Sequence, residues 1–145
     1  KIQKIKGRDE NKPFIQLIAS PKDISYYTNE KIEEKILSLW PGPLTIIVPL
    51  KEDSSKTIAL RCPNDEWLRK IIELTGFSIY STSVNYSGKE ILSDIFDIVD
   101  EFESKVSLIV DNGNKKDLKA STIISIINGK KTLIRQGELK IDLSK

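Results

Sequence analysis

Apolar positions along the chain follow two spacings, and the switches between them mark the elements. Dense runs rich in β-branched residues predict buried strands over 14–19, 45–50, 57–61, 77–83 and 106–110. Elsewhere apolar residues recur every three or four positions. Ile32, Ile36, Leu37 and Trp40 predict a helix capped by Thr28 or Asn29 and stopped by Pro41-Gly42-Pro43. Trp67, Leu68, Ile71, Ile72 and Leu74 predict a helix over 66–75, opened by Pro63-Asn64-Asp65 and closed by Gly76. Ile95, Ile98, Val99 and Phe102 predict another, opened by Ser93-Asp94. Ser20-Pro21-Lys22-Asp23 combines a hydroxyl cap, a proline at the first helical position and an acid at the third. It predicts a short helix reaching Tyr27. Residues 1–6 read as the end of a helix.

Two hairpins complete the pattern. Residues 45–50 and 57–61 face each other across a polar turn. Residues 121–127 and 131–135 flank Asn128-Gly129, the signature of a two-residue type I′ turn. Strands interleaved with helices, together with hairpins, predict an α/β domain with a mixed sheet.

Composition narrows the class without changing this picture. The chain of 145 residues is long enough for one domain with a real core. It is 39% hydrophobic and 30% charged, which argues against disorder. A net charge of +2, from 23 basic and 21 acidic residues, does not demand a nucleic-acid partner. Cys62 is the one cysteine, so no internal disulfide can form and a reducing, cytoplasmic location is expected. No apolar run approaches the length of a membrane span. The chain has no histidine, which removes His-based triads, His metal sites and an imidazole base. It also has no methionine, so Lys1 is not expected to be the native start.

The candidate chemistry lies where strands empty into polar segments. Ser81-Thr82-Ser83-Val84-Asn85-Tyr86-Ser87-Gly88 offers hydroxyls, an amide and backbone N–H groups suited to phosphate or carboxylate oxygens. Taken alone it is a weak signal, because such clusters are first of all turns. Lys6-Gly7-Arg8 places two cations on a short connection, and by itself reads as a solvated basic turn. Trp40-Pro41-Gly42-Pro43-Leu44-Thr45 reads as a rigid structural corner. Arg61 ends a strand, Ser121-Thr122 opens one, and Arg135-Gln136-Gly137 ends the last. Cys62 reads as a small buried thiol. Together these residues form an inventory for a polyanion, with no Walker-type loop and no dinucleotide glycine fingerprint.

In this order the motifs resemble the YrdC family, the threonylcarbamoyl-AMP synthases of tRNA modification. The resemblance rests on Lys6-Gly7-Arg8 with Asn11-Lys12-Pro13-Phe14, the 40–45 corner, Leu60-Arg61-Cys62-Pro63, the 81–88 segment, Ser121-Thr122-Ile123-Ile124 and Ile134-Arg135-Gln136-Gly137. It implies one YrdC/RibB-like α/β domain over 1–145, with a twisted, largely parallel mixed sheet and a concave basic cavity. It places the family's N-terminal strand and loop before Lys1. It implies formation of threonylcarbamoyl-AMP from L-threonine, bicarbonate and ATP by a nucleotidyltransferase, with Mg²⁺ accompanying the nucleotide. A tRNA-modifying partner complex would then receive the product. Carried over by motif, Lys6, Arg8 and Ser83 would bind the amino-acid substrate. Lys6, Arg8, Arg61, Ser81, Ser83, Asn85, Ser121 and Arg135 would bind ATP. No side chain is expected to act as a nucleophile, because the carbamate oxygen attacks the α-phosphate and the protein supplies position and charge. Asn64-Asp65, Ala120 and Ser125 depart from residues common in the family. The alternative is a module of the same fold that binds double-stranded RNA or tRNA without turnover, and such binding should weaken steeply with salt.

Overall fold

A computed structural model of the protein describes residues 1–7, 14–113 and 119–143. The chain divides into two compact units, one of Lys1–Lys12 with Thr82–Leu118, the other of Pro13–Ser81 with Lys119–Lys145.

The larger unit is built on a sheet of six strands among the described residues. They are β1 (Ile15–Leu17), β2 (Leu44–Pro49), β3 (Thr57–Arg61), β4 (Ile79–Ser81), β5 (Thr122–Ile127) and β6 (Lys130–Arg135), in the order β4-β1-β3-β2-β5-β6. The sheet is mixed, as the pattern predicts. Of its three inner ladders, β1·β3 and β2·β5 are parallel, and β2·β3 is the antiparallel hairpin between them. Both edges, β4 on β1 and β6 on β5, are antiparallel. The β5–β6 turn has Asn128 at φ 52° and Gly129 at φ 75°, the two positive values a type I′ turn requires.

The central strands carry almost no solvent-facing apolar surface. Leu44, Ile46, Val48, Leu60 and Ile124 are fully buried and pack with Ile18, Ile24, Ile36 and Trp40. The short helices α2 (Ile24–Tyr27) and α3 (Glu34–Leu37) supply Ile24 and Ile36 to that core. The entry to α2 has the capping box its sequence predicts: Ser20 accepts from the Lys22 N–H, and the Asp23 carboxylate accepts from the Ser20 N–H at 2.8 Å.

The helix predicted between Asn29 and Trp40 shrinks to the four residues of α3. Glu33, at φ −62° and ψ 140°, is extended and interrupts it. The carboxylates before that break are engaged elsewhere. Glu30 accepts from the N–H groups of Asn128 and Gly129, at 2.9 and 2.8 Å. Glu33 pairs with Lys35 and Lys131.

Helix α4 (Glu66–Thr75) has its predicted bounds. Asp65 caps it by accepting from the Leu68 N–H, and Gly76, at φ 73°, closes it. Its predicted apolar face is too wide, however. Ile72 is buried, but Trp67 is 56% and Leu74 75% exposed, because these two lie seven residues apart on a separate stripe. Phe77, predicted to begin a strand, is 78% exposed, and β4 starts only at Ile79.

The smaller unit contains α1 (Ile2–Lys6), α5 (Ile95–Phe102) and the segment between Thr82 and Asp94. The strand predicted over 106–110 is not formed: these residues have no regular structure and Ser107 lies in a bend. A strand requires a ladder partner, and among the described residues of this unit there is none. Val106, Leu108, Ile109 and Val110 instead line a cavity of about 610 Å³ with Ile2 and Ile5.

Candidate functional site

Helix α1 ends at Lys6 because Gly7 adopts φ 58° and turns its N–H back to the carbonyls of Gln3 and Lys4. The Lys6 side chain is thereby buried, 6% exposed, in the smaller unit. Its Nζ donates to the Ser83 carbonyl at 2.5 Å, the Asn85 carbonyl at 2.6 Å and Asn85 Oδ1 at 2.9 Å. Ser83 Oγ donates to the same Asn85 Oδ1 at 2.7 Å, and Asn85 Nδ2 donates to the Lys89 carbonyl at 2.7 Å. The Ser87 N–H donates to the Lys6 carbonyl at 2.8 Å. From the other side, Tyr86 Oη donates to Glu101 Oε1 at 2.7 Å, and Lys105 donates to the same carboxylate. That hydroxyl, then the Lys105 ammonium, hold the Glu101 carboxyl below its usual range. The 83–87 loop is therefore tied at both ends before any ligand arrives.

In the larger unit two arginines are oriented by backbone carbonyls. Arg61, half-buried at the end of β3, donates from Nε to the Gly42 carbonyl at 3.2 Å. Arg135, at the end of β6, donates from Nε and Nη2 to the Ser121 carbonyl, at 3.2 and 2.8 Å, and from Nη2 to Ser121 Oγ at 3.3 Å. Burial lowers the pKa of Arg61, Glu138 opposes that, and the like charge of Arg135 lowers it further. Ser121 is itself buried, and its hydroxyl meets that of Thr45 at 2.9 Å.

Ser121, Arg61 and Arg135 are thus gathered in one unit, and Lys6, Ser83 and Asn85 in the other. Ser81 ends β4, opposite Ile15, two register positions along β1 from the one that pairs with Arg61. Arg8 lies outside the described residues. Two contributors escape a reading of the sequence. Thr45 reads there as a strand former, and the Gly42 carbonyl leaves no trace in a side-chain pattern. Thr122, inventoried only as a hydroxyl, accepts from the Gly137 N–H at 3.0 Å and donates to the Leu139 carbonyl at 2.6 Å, so its hydroxyl is committed to holding the chain after β6.

The corner before β2 is structural, as its composition suggests. Trp40 is buried and donates from Nε1 to the Leu44 carbonyl at 2.7 Å. Cys62 is fully buried beside it, and burial pushes its thiol up to about 11, which leaves essentially no thiolate at neutral pH. A cleft of about 1060 Å³ lined by Ile18, Tyr27, Trp67, Ile72 and Phe77 touches none of Lys6, Arg61, Ser81, Ser83, Asn85, Ser121 and Arg135. Among the described residues, no group of three or more Cys, Asp or Glu side chains is placed to hold a metal ion. None of the described helices is long and apolar enough to cross a membrane.

A mixed sheet with two arginines set at strand ends by main-chain carbonyls defines an α/β domain. The family profile described as telomere recombination, which groups the Sua5, YciO and YrdC proteins, matches residues 1–137, and the chain belongs to that family. It is 31% identical to the threonylcarbamoyl-AMP synthase of Pyrococcus abyssi, an alignment covering 98% of this chain and 45% of that protein. The chain therefore spans under half the length of that relative. Among solved structures it is similar to P. abyssi Sua5 complexed with L-threonine, with 32% identity and a TM-score of 0.81 over 94% of this chain and 43% of that one. It is also similar to E. coli YciO, with 25% identity and a TM-score of 0.79 over 94% of this chain and 71% of that one.

Proposed function

We propose that the protein is a threonylcarbamoyl-AMP synthase, a nucleotidyltransferase that condenses L-threonine, bicarbonate and ATP. The observation that carries this reading is the setting of two strand-end arginines in one unit, Arg61 on the Gly42 carbonyl and Arg135 on the Ser121 carbonyl. Two cations held in place by main-chain carbonyls suit a ligand with several anionic oxygens, and ATP is one. Arg61, Arg135, Ser121 and Ser81 take the nucleotide. Ser83 and Asn85, with the charge of Lys6 behind them, take the amino acid, and Arg8 joins them. The threonine nitrogen first condenses with bicarbonate, forming the N–C bond of a carbamate as a C–O bond breaks and water leaves. The carbamate oxygen then attacks the α-phosphate and pyrophosphate leaves, so no protein nucleophile is needed and the absence of histidine is no obstacle. The described residues offer no acidic cluster for Mg²⁺, and no step is assigned to that ion. The product passes to a tRNA-modifying partner complex in the cytoplasm.

The test incubates the protein with ATP, labelled bicarbonate and L-threonine. Pyrophosphate release that requires threonine, with label in a threonylcarbamoyl-AMP product, is the expected result. No release, with salt-sensitive binding of double-stranded RNA or tRNA instead, would overturn the reading.

A further inference from the structure

The hydrogen bonds around Asn85 form a chain with only one polarity. An ammonium can donate but not accept, so the Asn85 atom 2.9 Å from Lys6 Nζ is its oxygen. The Lys89 carbonyl can accept but not donate, so the atom facing it is the Asn85 nitrogen. Both ends thus fix the amide in the same orientation. Ser83 Oγ lies 2.7 Å from the amide oxygen, so the serine proton must point there. Ser83 is exposed, and what its oxygen offers outward is therefore lone pairs. Lys6 Nζ meanwhile also donates to the Ser83 and Asn85 carbonyls, which holds the ammonium against this loop.

We infer that Lys6 is a positioning residue that, through Asn85, fixes the Ser83 hydroxyl as a hydrogen-bond acceptor for the ligand. Such an oxygen suits an N–H or O–H donor, the ammonium or hydroxyl of an amino acid, and is unsuited to a phosphate or carboxylate oxygen. The inference rests on the synthase reading and deepens it, because it divides the polar loop from the nucleotide. It also assigns Lys6 a role different from direct contact with the substrate carboxylate.

Calorimetric titration of the full protein with L-threonine, and separately with a non-hydrolysable ATP analogue, tests this. Ser83→Ala should weaken threonine binding about tenfold or more and change affinity for the nucleotide analogue less than about threefold. Lys6→Met should weaken threonine binding similarly, and the double variant should be no weaker than the worse single, since both remove one interaction. Multiplying losses would mean that Lys6 touches the ligand itself and would overturn the inference. So would a Ser83→Ala loss confined to the nucleotide. Should Lys6→Met fail to fold by circular dichroism, the same cycle is run with Asn85→Leu. Asn85→Asp, which keeps an oxygen for the serine proton, should lose less than Asn85→Leu.

A ligand-free measurement separates this inference from the synthase reading. Nitrogen-15 spectra at neutral pH should show a slowly exchanging ammonium for Lys6. Its absence overturns the inference. Its presence without any threonine binding by the unaltered protein overturns the synthase reading and leaves the hydrogen-bond polarity standing.

Discussion

Thr45 and Ser121, far apart in sequence, bring their hydroxyls to 2.9 Å in full burial where β2 and β5 run parallel. Thr45→Val leaves Ser121 Oγ, among the described residues, with the longer bond from Arg135. A buried hydroxyl that loses a partner costs about 1–3 kcal/mol. Urea unfolding of the variant should show a midpoint lowered accordingly with an unchanged slope, and an unaltered midpoint would deny the pair any role in stability.

Arg135→Lys removes the two-pronged grip on the Ser121 carbonyl, because an ammonium cannot hold that oxygen and present a planar face together. The KM for ATP should rise about tenfold or more, with the KM for threonine nearly unchanged. A rise confined to threonine would remove Arg135 from the nucleotide side.

Gly137 cannot carry a side chain. A Cβ there would lie 2.2 Å from the Ala120 carbonyl oxygen and 2.4 Å from the Ser121 carbonyl carbon, both backbone atoms. Gly137→Ala should destabilise by more than about 2 kcal/mol and disturb the Ser121 carbonyl that Arg135 grips. Thermal unfolding checks the first effect and ATP affinity the second; a neutral Gly137→Ala variant would contradict this backbone path.

Glu33 has a carboxyl lowered to about 2 from an ordinary 4.5, chiefly by Lys131 and then by Lys35. Its folded value is depressed, so its contribution is present above the unfolded value and fades as pH falls from about 5 to about 2. Glu33→Gln should flatten the acid limb of the stability profile in that window. Because the carboxylate is exposed, the difference should diminish in 1 M salt, where the screening length is about 3 Å. An acid limb identical in both proteins at low salt would remove Glu33 from it.

Cys62, with its thiol at about 11, should resist alkylating reagents at neutral pH while the protein is folded and react fully in denaturant. Fast native labelling would show that the β3 end opens readily.

What could be read in advance follows from how local the physics is. Helix α4 depends on Asp65, Gly76 and a stripe between them, and the β5–β6 turn on two residues that accept positive φ. Both were legible because cause and effect lie within one segment. The 106–110 run was not, because β-propensity says nothing about whether a partner strand stands alongside. Residues 29–40 misled for a related reason: Glu30 and Glu33 bond to the distant 128–131 region. At the site, motif order singled out Lys6, Ser83 and Asn85, but not that Lys6 bonds to the other two. Only distances reveal which donor meets which acceptor.

The parallel pairing of β2 with β5 joins Leu44 to Thr122, strands separated by roughly eighty positions of chain. While the polypeptide emerges from the ribosome, β2 waits with one flank unclaimed until β5 has followed it. The nascent chain is thus exposed to misassociation over that interval, and its folding should be helped by chaperones that shield the waiting edge.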